Sequence, residues 1–297
     1  MAMTTAERRG YAMICRDGAM LVVAADQRGG MRQAMAPTEE ARAAIGLAEL
    51  AACKMDIATH LARHAGAILL DAVCAVPAIV DEGVLDRSTS LLIGLDASGW
   101  EASPQGFRVS RMVEGVTARR VRALGGTGGK VMVWLRPDRP EACEANLATL
   151  RAVIADFRAE DLLLVVEFLT YALEGEAPEA YAERQESLVL DGARLALGAG
   201  AEVLKIPYPG SPGACAAVTA LCGEVPWAVL SAGVDHATFL GQVEAALAHG
   251  AAGVIAGRSL WKDCVSADRA WTRDRLRRVA VPRLEEIKAV VARHRGG

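Results

Sequence analysis

No apolar stretch in this chain reaches the roughly 18 to 20 residues needed to cross a bilayer. The first twenty residues, Met1 to Arg9 included, hold no long apolar run behind a basic start. Neither a membrane span nor a signal peptide is expected, and a soluble cytoplasmic protein is. Charge of one sign is missing too: Lys and Arg number 33 against 36 Asp and Glu, and the isoelectric point is near 6.0. Such a chain carries no basic footprint for nucleic acid or for an anionic membrane surface. The seven cysteines (Cys15, Cys53, Cys74, Cys143, Cys215, Cys222 and Cys264) are scattered, odd in number and form no C-x-x-C. That usage fits reduced thiols serving as small core residues. Histidine is scarce, and although His60 and His64 have the spacing of a helical metal pair, no carboxylate pattern accompanies them. A solvated helix face is expected there, and no metal site.

Two nucleotide-binding signatures are also absent. No G-x-G-x-x-G follows the first strand candidate. The run Gly125-Gly126-Thr127-Gly128-Gly129-Lys130 is not a phosphate-binding P-loop, because Leu124 occupies the first glycine position and Val131 stands where Ser or Thr is needed. It also precedes a strand rather than a helix, and reads as a tight helix-to-strand turn.

What is present is apolar surface in a repeating order. With 297 residues and 52% hydrophobic content, the chain can bury a large α/β core. Apolar runs occur at Ala19 to Ala25, Gly66 to Leu70, Ser90 to Leu95, Lys130 to Leu135, Leu162 to Phe168, Glu202 to Ile206, Trp227 to Leu230 and Gly253 to Ala256. Helical patterns separate them at about Glu39 to Ala65, Val113 to Leu124, Glu141 to Arg158, Tyr181 to Leu197, Gly213 to Cys222, His236 to Ala248 and beyond Trp261. Eight βα units of this length point to a (β/α)8 TIM barrel, since such a sheet closes and leaves no unpaired edge. A doubly wound sheet is the alternative. No repeat or linker divides the chain, so one barrel domain over residues 1–297 is expected. The elaborate connections, Asp96 to Met112 and Tyr171 to Ala180, leave strand C-terminal ends, where barrels build their sites.

The most informative run is Ala201-Glu202-Val203-Leu204-Lys205-Ile206-Pro207, a buried strand with Lys205 as its last inward residue. Burying an ammonium is costly unless it is paired or loses its proton, and a neutral, desolvated lysine is a nucleophile toward carbonyl carbon. An isolated lysine could equally snorkel to the rim or pair with a carboxylate, so the other strand ends must decide. Strand one ends in Asp26-Gln27-Arg28, strand two in Asp71, strand five carries Glu167, strand seven ends in Ser231-Ala232-Gly233 and strand eight in Gly257-Arg258. Singly, Asp26 or Asp71 could cap a helix, Arg28 could cover one, and Glu167 could be a lysine's structural partner. Together with an inward lysine they describe a site.

Lys130, Met132 and Trp134 share one face of strand four. If that face is inward, Lys130 approaches Lys205 and Glu167; its charge then disfavours protonated Lys205, and Glu167 can exchange protons beside it. If it is outward, Lys130 meets a helix or the barrel base. The small residues ending strands seven and eight allow backbone N–H groups to approach an anion, with Arg258 adding a planar donor set.

Ala25-Asp26-Gln27-Arg28, Ile68-Leu69-Leu70-Asp71, Lys130, Val166-Glu167 with Leu169-Thr170-Tyr171, Leu204-Lys205, Leu230-Ser231-Ala232-Gly233-Val234 and Ala256-Gly257-Arg258 with Trp261 follow one another over essentially the whole barrel. In that order they resemble the class I tagatose-1,6-bisphosphate aldolase family, whose frame the sulfofructosephosphate aldolases share. Pro226-Trp227, Val234-Asp235 and the tail Arg275 to Arg295 are more similar to the sulfofructosephosphate members; Leu169-Thr170-Tyr171 and Asp96 to Gly106 are more similar to the tagatose-bisphosphate members. Two positions depart from the pattern: Phe168 stands where the family usually has proline, and Pro207 where a glutamate commonly follows the lysine by two. The resemblance implies that Lys205 forms an iminium with a phosphorylated ketose, Glu167 shuttles protons, Lys130 tunes Lys205, and Asp26 binds hydroxyls or stabilises the iminium. Gln27, Arg28, Asp71, Ser231, Gly233, Gly257 and Arg258 would bind substrate. It also implies a reaction without metal or cofactor, and a homo-oligomer. Two other readings stay open here: a catalytically silent phosphosugar-binding barrel, prompted by Phe168 and Pro207, and an enediolate-type isomerase with Glu167 as base.

Overall fold

The computed structural model describes residues 3–86 and 88–295; Met1, Ala2, Arg87, Gly296 and Gly297, which the expected domain includes, lie outside the described residues. Eight parallel strands form the barrel: β1 Ala19–Ala24, β2 Ala67–Asp71, β3 Ser90–Gly94, β4 Gly128–Trp134, β5 Leu163–Leu169, β6 Leu204–Pro207, β7 Trp227–Leu230 and β8 Gly253–Ala256. Each pairs with its chain neighbour, and β8 pairs with β1 (Val254 beside Leu21), which closes the sheet. Every expected strand is found within a few residues of its expected bounds. Among the described residues no helix is long and apolar enough to cross a membrane.

The period-two alternation of each strand divides its side chains between two cores. Met20, Val22, Ala24, Ala67, Leu69, Leu92, Leu163, Val165, Val203, Ala228 and Ile255 fill the barrel interior. Their neighbours Leu21, Val23, Ile68, Leu70, Ile93, Val166, Leu204 and Val229 face outward against the helices. Continuing the inward parity one step towards the C-terminal mouth gives Asp26 after Ala24, Glu167 after Val165 and Lys205 after Val203. The residues that would carry chemistry are thus the last layer of the packed interior.

Outward parity explains Phe168. Its ring is fully buried beneath the helix Pro178–Ala199, and a Cβ built on Gly192 of that helix would lie 2.4 Å from Phe168 Cε2. The departure from proline therefore sits behind the strand, in contact with a helix, on the face away from Glu167. Gly192→Ala should force the ring or the helix to move and lower stability by about 1–3 kcal/mol, read as a fall in Tm. An unchanged Tm would mean that the ring does not fill that gap.

Several helices differ from expectation. The predicted helix Glu39 to Ala65 is two, Glu39–Ala43 and Leu47–Leu61, because Gly46 starts a new turn and the Glu49 carboxylate accepts from its N–H at 2.9 Å. A helix at Ala75–Glu82 was not expected; Pro77 interrupts its pattern, but in the first turn proline sacrifices no hydrogen bond. The helix Thr5–Met13 and the two-residue strand Cys15–Arg16, antiparallel to β1, close the base of the barrel. The long connection after β3 is an antiparallel hairpin of Asp96–Ala102 and Arg108–Met112. Its mostly exposed first strand lacks the apolar alternation by which a strand is recognised.

Candidate active site

Lys205 on β6 and Glu167 on β5 are paired in register across the sheet, and the Lys205 ammonium donates to Glu167 Oε2 at 2.9 Å. Lys130 on β4 reaches the same oxygen at 3.1 Å. It also lies 2.8 Å from Asp26 Oδ2 and 2.6 Å from Asp96 Oδ1. All three expected catalytic partners of Lys205 therefore meet in one network, and of the two orientations open to the face of Lys130, Met132 and Trp134 the inward one is found. One ammonium holds three carboxylates. Burial alone would lower Lys130, but Asp26, Asp96 and Glu167 hold it well above the ordinary lysine value.

The carboxyls split in opposite directions. Burial would raise Asp26, yet the charges of Lys130 and Lys205 outweigh it and bring it down to about 2. Burial pushes Asp96 up, and although Lys130 opposes this, the negative charges of Asp26 and Glu167 reinforce it. Crowded carboxyls with pKa values driven apart are the usual source of one group that stays ionised beside another that can hold a proton. Gly94 makes this approach possible: a Cβ there would sit 3.3 Å from Asp26 Cβ. Asp96 was not among the expected site residues, although it directly follows the apolar run of strand three. The rule that strand ends point to one space, applied to that strand as to the others, would have found it.

The network forms the floor between two connected clefts. The larger, about 370 Å³, is lined by Lys205, Glu167, Gln27, Ser231, Gly257 and Arg258, with Arg108, Trp134 and Tyr171 opposite. The smaller, about 220 Å³, is lined by Asp26, Arg28, Asp96, Lys130 and Met132 and shares Gln27, Glu167 and Arg258 with the first. Gln27 donates through Nε2 to Asp26 Oδ1 at 2.9 Å, while its buried Oε1 has no protein partner.

Strands β7 and β8 end in a loop pair built around one arginine. Ala232 adopts φ +48°, a left-handed conformation that costs a non-glycine residue roughly 1–2 kcal/mol, and its carbonyl accepts from Arg258 Nη2 at 3.1 Å. Gly233 has φ +88°, and a Cβ there would lie 3.1 Å from Arg258 Cζ. Lys262 donates to the carbonyl of Gly233 at 2.5 Å. Ser231, Gly257 and Arg258 thus line one cleft with Lys205, and Gly233 lies against Arg258.

Two expected binding residues have other partners. Asp71 is sealed from both clefts: the buried ammonium of Lys54 donates to its Oδ2, and the N–H groups of Val73 and Cys74 donate to Oδ1 at 2.9 Å. Burial would raise it, but Lys54 holds it below the usual carboxylate range. Lys54 reads in sequence as an ordinary helix lysine and gave no sign of this pairing. Arg28 touches the smaller cleft, but its guanidinium lies 3.5 Å from Asp71 Oδ1 and donates to the Asp96 carbonyl at 3.3 Å. It braces the loop that carries Asp96. His64 pairs with Glu285 at 2.6 Å. Among the described residues no group of three His, Cys, Asp or Glu side chains is arranged to hold a metal ion.

Residues 20–263 match the family described as DeoC/LacD family aldolase. Similar curated proteins include a tagatose 1,6-diphosphate aldolase of Listeria monocytogenes, 26% identical over 271 residues, covering 83% of this chain and 78% of that one. Another is tagatose 1,6-diphosphate aldolase 1 of Streptococcus pyogenes, 26% identical over 295 residues and covering 89% and 87%. Among solved structures, an archaeal fructose 1,6-bisphosphate aldolase superposes with a TM-score of 0.67 at 21% identity, covering 99% of this chain and all (100%) of that one. A Schiff base forming fructose-1,6-bisphosphate aldolase does so with 0.65 at 20% identity, covering 97% and 100%. At such identities the superpositions speak for the barrel fold.

Proposed function

The chain belongs to the DeoC/LacD aldolase family, a family of carbon–carbon lyases, and on that premise we propose that it is a class I aldolase whose Schiff-base residue is Lys205. The observation that carries this reading is the 2.9 Å contact between Lys205 Nζ and Glu167 Oε2 at the floor of a cleft that also presents Arg258. The substrate is a ketose 1-phosphate bearing a second anion, either tagatose 1,6-bisphosphate or 6-deoxy-6-sulfofructose 1-phosphate. The products are dihydroxyacetone phosphate and an anionic aldehyde.

The steps follow from the contacts. Lys205 Nζ, after giving a proton to Glu167, attacks the ketone carbon; the carbinolamine hydroxyl takes that proton back and leaves as water, which gives the iminium and returns Glu167 to a carboxylate. Removal of the proton from the C4 hydroxyl breaks the C3–C4 bond; its electron pair flows into the iminium and leaves an enamine, while the aldehyde departs. Glu167 is the base within reach of this reaction, and Lys130 fixes its orientation through the shared oxygen. Protonation of the enamine at C3 and hydrolysis return Lys205 and release dihydroxyacetone phosphate. Asp26, held ionised, stabilises the cationic iminium.

Borohydride reduction in the presence of dihydroxyacetone phosphate should leave a reduced three-carbon adduct on Lys205, located by peptide mass spectrometry, with turnover persisting in EDTA. Absence of the adduct, or its appearance on another lysine, would remove the proposal. Parallel assays with the two candidate ketoses then decide the second anion.

A further inference from the structure

Two arginines line the larger cleft and neither pairs with a carboxylate among the described residues; Arg258 donates to the Ala232 carbonyl, whereas Arg108 has no oxygen partner. Arg108 lies on the second strand of the hairpin that follows β3, and its guanidinium carbon sits 4.6 Å from the ring centre of Trp134, 4.8 Å from Tyr171 and 5.1 Å from Trp100. Among the described residues no oxygen accepts from this guanidinium and no carboxylate pairs with it. The contrast with Arg136 is direct: that buried arginine is held by Asp138 and Glu176. The rings of Trp134 and Tyr171 stand at 88° to each other, so they hold the guanidinium by attraction to its charge, and the N–H donors that meet no ring remain for a fork of oxygens.

The position of Arg108 is built in, not the drift of a mobile loop. Its N–H donates to Tyr171 Oη at 3.2 Å, and Asn146 Nδ2 donates to its carbonyl at 2.8 Å. Ser110, two residues on, donates its N–H to Asn146 Oδ1 at 2.8 Å and accepts from the N–H of Trp134 at 2.9 Å. Tyr171 in turn is anchored by Arg136, which donates to its carbonyl at 2.8 Å. Around the closed sheet, Arg258 reaches the cleft from the β7 and β8 side of Lys205, whereas Arg108 reaches it from the β4 and β5 side.

We propose that Arg108 receives the oxyanion at the aldehyde end of the substrate, phosphate or sulfonate, and so determines which aldehydes the enzyme releases and rejoins. The inference rests on the aldolase reading above, in which Lys205 sits between the two halves of the substrate. The group at Arg258 then serves the half that remains on Lys205.

The test uses the synthetic direction. Dihydroxyacetone phosphate is offered with D-glyceraldehyde 3-phosphate, 3-sulfolactaldehyde or neutral D-glyceraldehyde, for wild type, Arg108→Met and Arg108→Lys. Wild type should favour one charged aldehyde over the neutral one, and which charged aldehyde it favours identifies the anion. Arg108→Met should lower kcat/KM for that aldehyde by roughly 10- to 100-fold and leave neutral glyceraldehyde within about threefold. Arg108→Lys, keeping charge without the fork, should lie between. The borohydride adduct at Lys205 should form equally in all three proteins. Equal losses for charged and neutral aldehydes, no loss, or a wild type that shows no preference for charge would overturn the assignment. A wild type that forms no adduct at Lys205 would remove the aldolase reading instead, a result independent of Arg108.

Discussion

Lys205→Met is expected to lower ketose cleavage by at least about 10³-fold and to abolish the borohydride adduct, because no other amine in the site can replace the bond it forms. The nearest ammonium, Lys130, is engaged by Asp26, Asp96 and Glu167, and is held strongly protonated by them. It therefore has no free pair with which to attack a carbonyl. The fold should be little affected, since Glu167 keeps its 3.1 Å contact with Lys130 when Lys205 is lost and no carboxylate is left without a cation. Activity surviving in this variant would favour an enediolate reaction, in which Glu167 as base suffices and a lysine nucleophile is not needed. Steady-state rates and a Tm measured together separate the chemical loss from any structural one.

Lys130→Met should act in the opposite way, through stability first. Methionine matches the length of the stem but leaves Asp26 and Asp96, both largely enclosed, without their ammonium partner, while Glu167 keeps Lys205. Breaking one side of a buried charge cluster costs about 3–5 kcal/mol, a large part of the margin of an ordinary domain. The sign of the pH dependence is a sharper check. In the wild type, Asp26 is lowered from 3.8 to about 2. Its contribution is present above the unfolded carboxylate value and is lost as pH falls through the folded one. Without Lys130 the burial that opposes ionisation of Asp26 and Asp96 loses its main counterweight, so the variant is relieved when these two carboxyls take up protons. The stability difference between the two proteins should be greatest near neutral pH and should narrow on acidification through the carboxylate range. A difference independent of pH in urea melts at pH 7 and pH 4.5 would mean that lost packing, not lost charge, is responsible.

Much of this architecture could be read in the order of residues alone. Eight short apolar runs separated by helical patterns leave few topologies for a sheet without an edge, and strand parity is a local property of the backbone. Once the barrel closes, parity dictates that Asp26, Glu167 and Lys205 follow Ala24, Val165 and Val203 into the interior. The same alternation put Lys130 on one face with Met132 and Trp134, without saying whether that face is inward.

What escaped that reading depends on contacts between segments far apart in the chain. Lys54 reaches Asp71 from a helix, which turns an expected binding residue into a buried counter-ion. Nothing in the spacing of either residue specifies that encounter. Asp96 lies at the entrance of a hairpin whose first strand is mostly exposed, and the rings around Arg108 come from the hairpin, from β4 and from the loop after β5.

By itself, then, the sequence determined the barrel, its inward lysine and the carboxylate next to it, because alternation and burial act over a few neighbouring residues. Only the tertiary structure decided which charges meet. Ion pairs and stacked rings are settled by the paths of loops and the docking of helices, which no local pattern encodes.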